Sequence, residues 1–438
     1  MSAPGDLIDL DVTGIAHGGV FVGRHEGRVV FVPDVIPGER VRVRITDTRA
    51  DSFWRGELLD VLDASPDRRP HVWRSADLSV PPERRPGGAD LGHVALPRQR
   101  ELKADVVRDA LARIGRLELP VTMETAHPSR ASGGLVADTE RDDGTRWRTR
   151  VSLHVDADGR IGPVAARSHR VIEVPDLPLA TLSIDEAAAR LHRADPGRVD
   201  LVQPADGRVR VLPRSETASG PRRGGRARPR PRAEVIAETV GGRRFRVDAD
   251  GFWQVHRLAA QTLTDAVTDS LDGSGPGLDP DAHHLDLYGG VGLLAAAVAV
   301  AGGPETRITT VESDSRATEH AGHNLAEWVG ARAETGRVDR WLAATADTAS
   351  RALRERISRG LVVLDPPRAG AGRRVVEAVA GLRPAGVVYV ACDPVALARD
   401  LGTFAGRGYH ARHVRAFDLF PHSHHVESVA LLLRDAAR

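Results

Sequence analysis

Between residues 7 and 63, short apolar alternations recur as Val20-Phe21-Val22, Val29-Val30-Phe31-Val32 and Val41-Arg42-Val43-Arg44-Ile45. Gly14, Gly18-Gly19, Gly27 and Pro37-Gly38 break them. Brief period-two strands between glycine turns predict a small barrel or sandwich. The next stretch is rich in turns, with Pro66, Pro70, Pro81-Pro82, Pro86-Gly87-Gly88 and Pro97. Leu102, Val106, Ala110, Leu111 and Ile114 then line one face of a helix predicted from Arg98 to Arg113. From 145 to 212 strands alternate with short helices, Arg148 to Asp156 reading as a strand and Ile184 to Arg193 as a helix. From about 234 the pattern is regular α/β. Phe245-Arg246-Val247 precedes a helix reaching about Leu271, and His284 to Leu287 leads into the apolar helix Leu293 to Ala301. Val387 to Ala391 reads as a strand and Val395 to Leu401 as the start of a helix. The division that follows is a barrel over 1–64, a mixed α+β central domain over 65–245 and an α/β domain over 246–438.

Length agrees, because 438 residues exceed one small core. No apolar run is long enough to span a membrane. Met1 to Asp6 has neither a basic nor an apolar leader region, so no secretory signal is expected. One cysteine allows no internal disulfide, which fits a reducing cytoplasm. The net charge of +1 leaves partners undecided. Of the 61 basic residues only Lys103 is lysine. Arginine suits phosphate recognition, although a genomic base bias gives the same skew. In the barrel, Arg24, His25, Arg28, Arg40, Arg42 and Arg44 fit either an oligonucleotide-binding face or a solvated surface. Residues 214–232 hold seven arginines and one acidic residue, predicting a mobile loop that touches RNA or merely links.

Candidate chemistry gathers at strand ends. Asp286-Leu287-Tyr288-Gly289-Gly290-Val291-Gly292 joins a strand to a helix, and Glu312 closes the next strand. Glycines let a ligand approach the backbone at a helix N-terminus, and a carboxylate at Glu312 suits ribose hydroxyls. Ala295 stands where a dinucleotide fingerprint has its third glycine, and the Asp-x-Tyr-Gly-Gly-x-Gly form of the loop suits S-adenosylmethionine better than a pyrophosphate cofactor. Cys392 follows a strand and precedes Asp393-Pro394, while Asp365-Pro366-Pro367-Arg368 ends another strand upstream. A lone cysteine is ordinarily a small buried apolar residue, and here position argues for chemistry. His422, His424 and His425 have no cysteine or carboxylate cage at ligand spacing, so no metal is expected.

Taken in order, these stretches resemble the RNA uracil-5-methyltransferases nearly end to end. Gly14 to Ile45 looks like the TRAM domain, an RNA-binding barrel. Phe252-Trp253-Gln254, the Asp286 to Gly292 loop, Val311-Glu312, Asp365 to Arg368, Cys392-Asp393-Pro394 and Phe420-Pro421-His422 with Glu427 carry the rest. The resemblance implies a class I methyltransferase sheet using S-adenosylmethionine. It implies that Gln254, Tyr288, Glu312 and Asp365 contact the cofactor, to which the glycine loop adds Gly290 and Gly292. It further implies that Cys392 is the nucleophile, Glu427 the base and Arg368 part of the uracil pocket. Carbon 5 of uracil is a poor nucleophile. Thiolate addition at carbon 6 activates it, and a base must later remove the carbon 5 proton. The target base must also leave its stack. Ribosomal or transfer RNA is the expected partner of a monomer in the cytoplasm.

Two departures stand out. Many members hold an iron–sulfur cluster through four cysteines, but the comparable stretch here reads Pro86-Gly87-Gly88-Ala89, so no cluster is expected. Gly289 stands where members often have cysteine. Two other readings remain open, an idle RNA-binding protein with this fold and a cytosine methyltransferase. Loss of Cys392 or Glu427 would favour the first, and both are present.

Overall fold

The computed structural model describes residues 3–50, 52–126, 141–166, 168–215, 233–271 and 277–435. Apart from Arg214 and Ser215, the arginine-rich stretch lies outside them. Strands β1 (Leu7–Ala16), β2 (Val20–His25), β3 (Arg28–Val32), β4 (Arg40–Asp47) and β5 (Phe53–Asp63) form a closed barrel in the order β1-β2-β3-β5-β4. In β4 the alternation does what it predicts, with Val41, Val43 and Ile45 inside and Arg40, Arg42 and Arg44 outside. Buried Glu39 accepts hydrogen bonds from Arg68 at 2.6 and 2.7 Å, tying the barrel to the turn-rich segment beyond it.

Helix α1 (Leu96–Ala110) begins with Pro97 in its first turn, where a missing N–H costs nothing. It ends in a π turn over Leu111–Gly115 that stops at Arg116 in the left-handed region, φ +54°. The chain's one lysine lies on this helix, only 1% exposed, and donates to Asp418 Oδ1 at 2.6 Å and to the Phe420 carbonyl at 2.9 Å. Strand β6 (Val121–Thr125) then pairs with a strand from the far end of the chain.

The central domain is a four-stranded sheet of β7 (Arg150–Val155), β8 (Ile161–Gly162), β9 (Gly197–Val202) and β10 (Arg210–Ser215), ordered β10-β9-β7-β8. Helix α2 (Leu182–Ala189) is capped by the Thr181 hydroxyl. A ribbon of β11 (Val235–Val240) and β12 (Arg243–Asp248) leads to α3 (Ala259–Asp269).

Next come β13 (His284–Leu287), α4 (Leu293–Gly302), β14 (Ile308–Glu312), α5 (Ser315–Asn324), β15 (Ala331–Thr335), α6 (Val338–Thr348) and α7 (Arg351–Arg359). They are followed by β16 (Leu361–Leu364), α8 (Gly372–Leu382), β17 (Gly386–Ala391), α9 (Pro394–Ala405), β18 (Tyr409–Ala411), β19 (Val414–Asp418) and β20 (Glu427–Arg434). The sheet runs β15-β14-β13-β16-β17-β20-β19-β6, with β18 also on β20. The strands from β15 to β17 are parallel, and β20 is antiparallel to β17. Strands β13, β16 and β17 are buried throughout, as a sheet covered on both faces requires. Strand order reverses between β14 and β16 on either side of β13, which opens a crevice at the carboxyl ends. Among the described residues no helix is long and apolar enough to cross a membrane.

Candidate functional site

One cleft of about 1650 Å³ occupies that crevice and extends to the central domain. This exceeds the roughly 300–1,000 Å³ of a single small-molecule pocket and leaves room for two ligands. Gln254, Tyr288, Gly290, Glu312, Asp365, Arg368, Cys392 and Glu427 all line it. Gly292 does not. It is the buried, left-handed N-cap of α4, with its α-carbon turned toward Ala321 and Leu325 of α5.

At one end β13 stops at Leu287 and the chain turns through Tyr288 (φ +66°) and Gly290 (φ +55°). A β-carbon at Gly289 would collide with Thr310 Oγ1 and Asp286 Oδ2. Those two atoms share a buried hydrogen bond of 2.9 Å, which leaves no room for a side chain at 289. Glu312 accepts from the Gly290 amide at 3.2 Å, the Asp314 amide at 2.8 Å and the Ser313 hydroxyl at 2.9 Å. Its carboxylate is therefore fixed at the end of β14. Burial, and then the charge of Asp286, push Asp365 up to about 7. Asp286 also rises to about 7 through burial, opposed by its bond from Thr310.

At the other end the pairing register does the positioning. Ala391 of β17 faces Ser428 of β20 across the ladder. The next position along each strand brings Cys392 beside Glu427, one at a strand end and one at a strand start. Cys392 is half-buried and Glu427 is 6% exposed. Burial pushes the thiol up to about 12, and the charges of Glu427 and Asp365 add to it. Burial likewise raises Glu427 well above the carboxylate range, with Asp365 contributing. Arg368 works against both shifts.

Among the neighbours, Arg148 carried no functional signal in the sequence. Arg148 lines the cleft, donates from Nε to the Arg150 carbonyl at 3.0 Å, and is held below its usual value by burial and by Arg368. His425 Nε2 lies 3.4 Å from Arg368 Nη2. Burial, then His424 and Arg368, push that imidazole down to about 3, so it is neutral and accepts from the guanidinium. His424 Nδ1 meets Asp90 Oδ2 at 2.7 Å. His422 is a structural pin between Gln99 and the Asp143 carbonyl.

The donor set does not fit an iron–sulfur cluster, since Cys392 is the only thiol. The loop in question is held otherwise. Pro86 bridges Ala165, the Gly87 amide donates to the Val164 carbonyl at 3.1 Å, and Ala89 joins a cluster with Trp73, Trp147 and Leu177.

Comparison with known proteins gives a consistent result. Residues 2–59 match the TRAM domain model and residues 354–435 the tRNA (Uracil-5-)-methyltransferase model. An uncharacterized RNA methyltransferase of Streptomyces avermitilis is 38% identical, with 98% of each chain covered. A 23S rRNA (uracil(1939)-C(5))-methyltransferase of Halomonas elongata is 29% identical over 98% of this chain and 90% of its own. Among solved structures, the Pyrococcus abyssi tRNA (uracil-54, C5)-methyltransferase in complex with S-adenosyl-L-homocysteine aligns with a TM-score of 0.65. It covers 97% of this chain and 100% of its own at 21% identity, a likeness of fold.

Proposed function

The chain belongs to the RNA uracil-5-methyltransferase family, and from that premise we propose that it methylates carbon 5 of a uridine in structured ribosomal or transfer RNA through a covalent Cys392 adduct. The observation that carries this reading is the juxtaposition of a thiol and a carboxylate, Cys392 and Glu427, at the end of one strand ladder. A reaction that first adds a nucleophile to the ring and later removes a ring proton needs both on the same base.

When bound, S-adenosylmethionine supplies an electrophilic methyl group to the activated carbon 5. The residues present suit it. Glu312, fixed by three donors, can accept from two ribose hydroxyls. Asp365 is a recessed acid raised by its surroundings, and a cationic ligand group beside it would restore its charge. Gln254, Tyr288 and Gly290 complete that wall of the cleft.

In the chain's own chemistry, Cys392 gives its thiol proton to solvent and adds its sulfur as thiolate to carbon 6, moving the ring double-bond electrons toward carbon 5. Arg368 is the charged side chain that favours the thiolate, and it lines the cleft in which the ring is assigned. After carbon 5 has accepted its methyl group, Glu427 takes the carbon 5 proton. The carbon–sulfur bond then breaks and the ring recovers its conjugation. The raised proton affinity of Glu427 suits a base that must hold that proton in a dry site.

The barrel is assigned to RNA binding and the protein to a cytoplasmic monomer. Mass spectrometry of nucleosides from rRNA and tRNA, with and without this protein, tests the reading. Loss of 5-methyluridine from one RNA class is expected. Unchanged 5-methyluridine in both, with loss of 5-methylcytidine, would make it a cytosine enzyme.

A further inference from the structure

The turn between β1 and β2 reaches the catalytic pocket at two separate points. His17 Nε2 lies 3.2 Å from Asp393 Oδ2. The other oxygen of that carboxylate, Oδ1, accepts the Ala396 amide at 2.8 Å and caps α9. The residue directly after Cys392 is thus gripped from its own helix on one side and from the barrel on the other. The second point is Gly19, left-handed at φ +72°. A β-carbon there would lie 2.7 Å from His424 Cβ and 3.3 Å from Asp90 Cβ. The turn therefore lies flat against the His424–Asp90 pair, and His424 precedes His425, which touches Arg368, and Glu427.

We infer that the β1–β2 turn is a positioning element of the catalytic pocket, His17 acting through Asp393 on Cys392 and Gly19 through His424 on the strand start that carries Glu427. The barrel then contributes to turnover as well as to RNA binding. The inference rests on the proposed roles of Cys392 and Glu427. The two contacts bear on the two loops whose spacing the chemistry requires, and on either side of the same base. His17 is 47% exposed, so the pair is not a core contact that the fold needs for stability. The hydrogen bond to Asp393 raises His17 above its ordinary value, against burial. Burial opposes ionisation of Asp393, yet the bonds from His17 and the Ala396 amide hold its carboxyl below the usual range.

The test uses the full chain carrying His17→Ala, His17→Gln or Gly19→Ala, with the thermal midpoint followed alongside. In His17→Ala and Gly19→Ala, kcat should fall about ten-fold, because small misplacements of reacting groups are costly. The KM for RNA and its salt dependence should stay within about two-fold of wild type. His17→Gln, which keeps a side-chain donor, should recover part of kcat. Alkylation of the single thiol by iodoacetamide needs neither RNA nor cofactor, and should quicken about three-fold as the loop loosens. The inference is overturned if kcat is unchanged while the RNA KM rises, or if alkylation matches wild type in both alanine variants. Should Gly19→Ala fail to fold, the His17 variants decide. If the wild type methylates no uridine, the proposed function falls, and the alkylation arm still decides whether the turn positions Cys392.

Discussion

At the scale of single residues, the pocket holds the thiol proposed as nucleophile, Cys392, in the wrong protonation state for idle chemistry. A thiol pushed up to about 12 by burial is protonated at neutral pH, and its thiolate fraction grows ten-fold per pH unit until that value is reached. In protein without RNA or cofactor, the iodoacetamide rate of Cys392 should therefore climb with a slope near one from pH 7 to 9, without levelling. A plateau near the ordinary thiol value of about 8.5 would show an unperturbed group. Where Glu427 is ionised its charge opposes the thiolate, so Glu427→Gln should lower the thiol pKa and speed alkylation in the upper part of that pH range. The same variant separates the two halves of the reaction. Cys392→Ala should give neither methylation nor adduct, whereas Glu427→Gln should trap methylated RNA on Cys392, seen as a slow band on a denaturing gel. Near wild-type methylation by Cys392→Ala would sink the covalent mechanism. Cys392 was readable as the only thiol, placed just past a strand, whereas Glu427 was pointed to only by the family resemblance. Arg148 and His17 were not legible. Nothing distinguishes one arginine among sixty, and the partner of His17 lies nearly the whole chain away.

At the scale of elements, the glycine loop was the most readable feature, since a strand, a glycine turn and a helix follow in order. Its glycines nevertheless divide the work differently from the expectation. Gly290 borders the cleft, while Gly292 allows α4 to start close against α5. Gly289 makes room for the Thr310–Asp286 hydrogen bond. Such a tertiary contact leaves no trace in a local pattern. Gly289→Ala should cost about 1–3 kcal/mol of stability as an overpacked site, and Gly289→Ala with Thr310→Ala should recover part of that loss. Chemical denaturation of both variants checks it, and equal losses would place the strain elsewhere. Glu312→Ala should weaken S-adenosylmethionine binding by roughly 1.5–3 kcal/mol while leaving RNA affinity alone, because it removes a charged acceptor from a fixed position. Calorimetry showing unchanged cofactor affinity would take Glu312 out of the site.

At the scale of the whole molecule, the three-part division seen in the sequence meets a chain that crosses between parts. The segment holding α1 and β6 precedes the central sheet in sequence, yet β6 pairs in parallel with β19 and Lys103 binds Asp418 beside it. A five-residue strand carries no mark of which sheet it will join, because pairing is decided by tertiary packing. The barrel is similarly entangled, since Leu91, Val94 and Leu102 pack into its core cluster. Deleting residues 7–63 would uncover those side chains and confuse RNA binding with stability. Charge removal on the barrel surface is the cleaner probe. Arg42 is paired with Asp9 at 2.9 Å and Arg44 lies 3.9 Å from Glu57, so part of their charge is already answered within the protein. Arg24 is exposed on β2, and Arg28 lies over the Trp54 ring at 5.1 Å. If the barrel holds RNA backbone, Arg24→Ala and Arg28→Ala should each raise the RNA KM and reduce the slope of log affinity against log salt by about one. Arg42→Ala should change that slope less, and none of the three should alter cofactor binding. Equal slopes for all three and the wild type would mean that RNA reaches the cleft without this face of the barrel. The barrel's part in the enzyme would then be confined to its contacts with the catalytic loops.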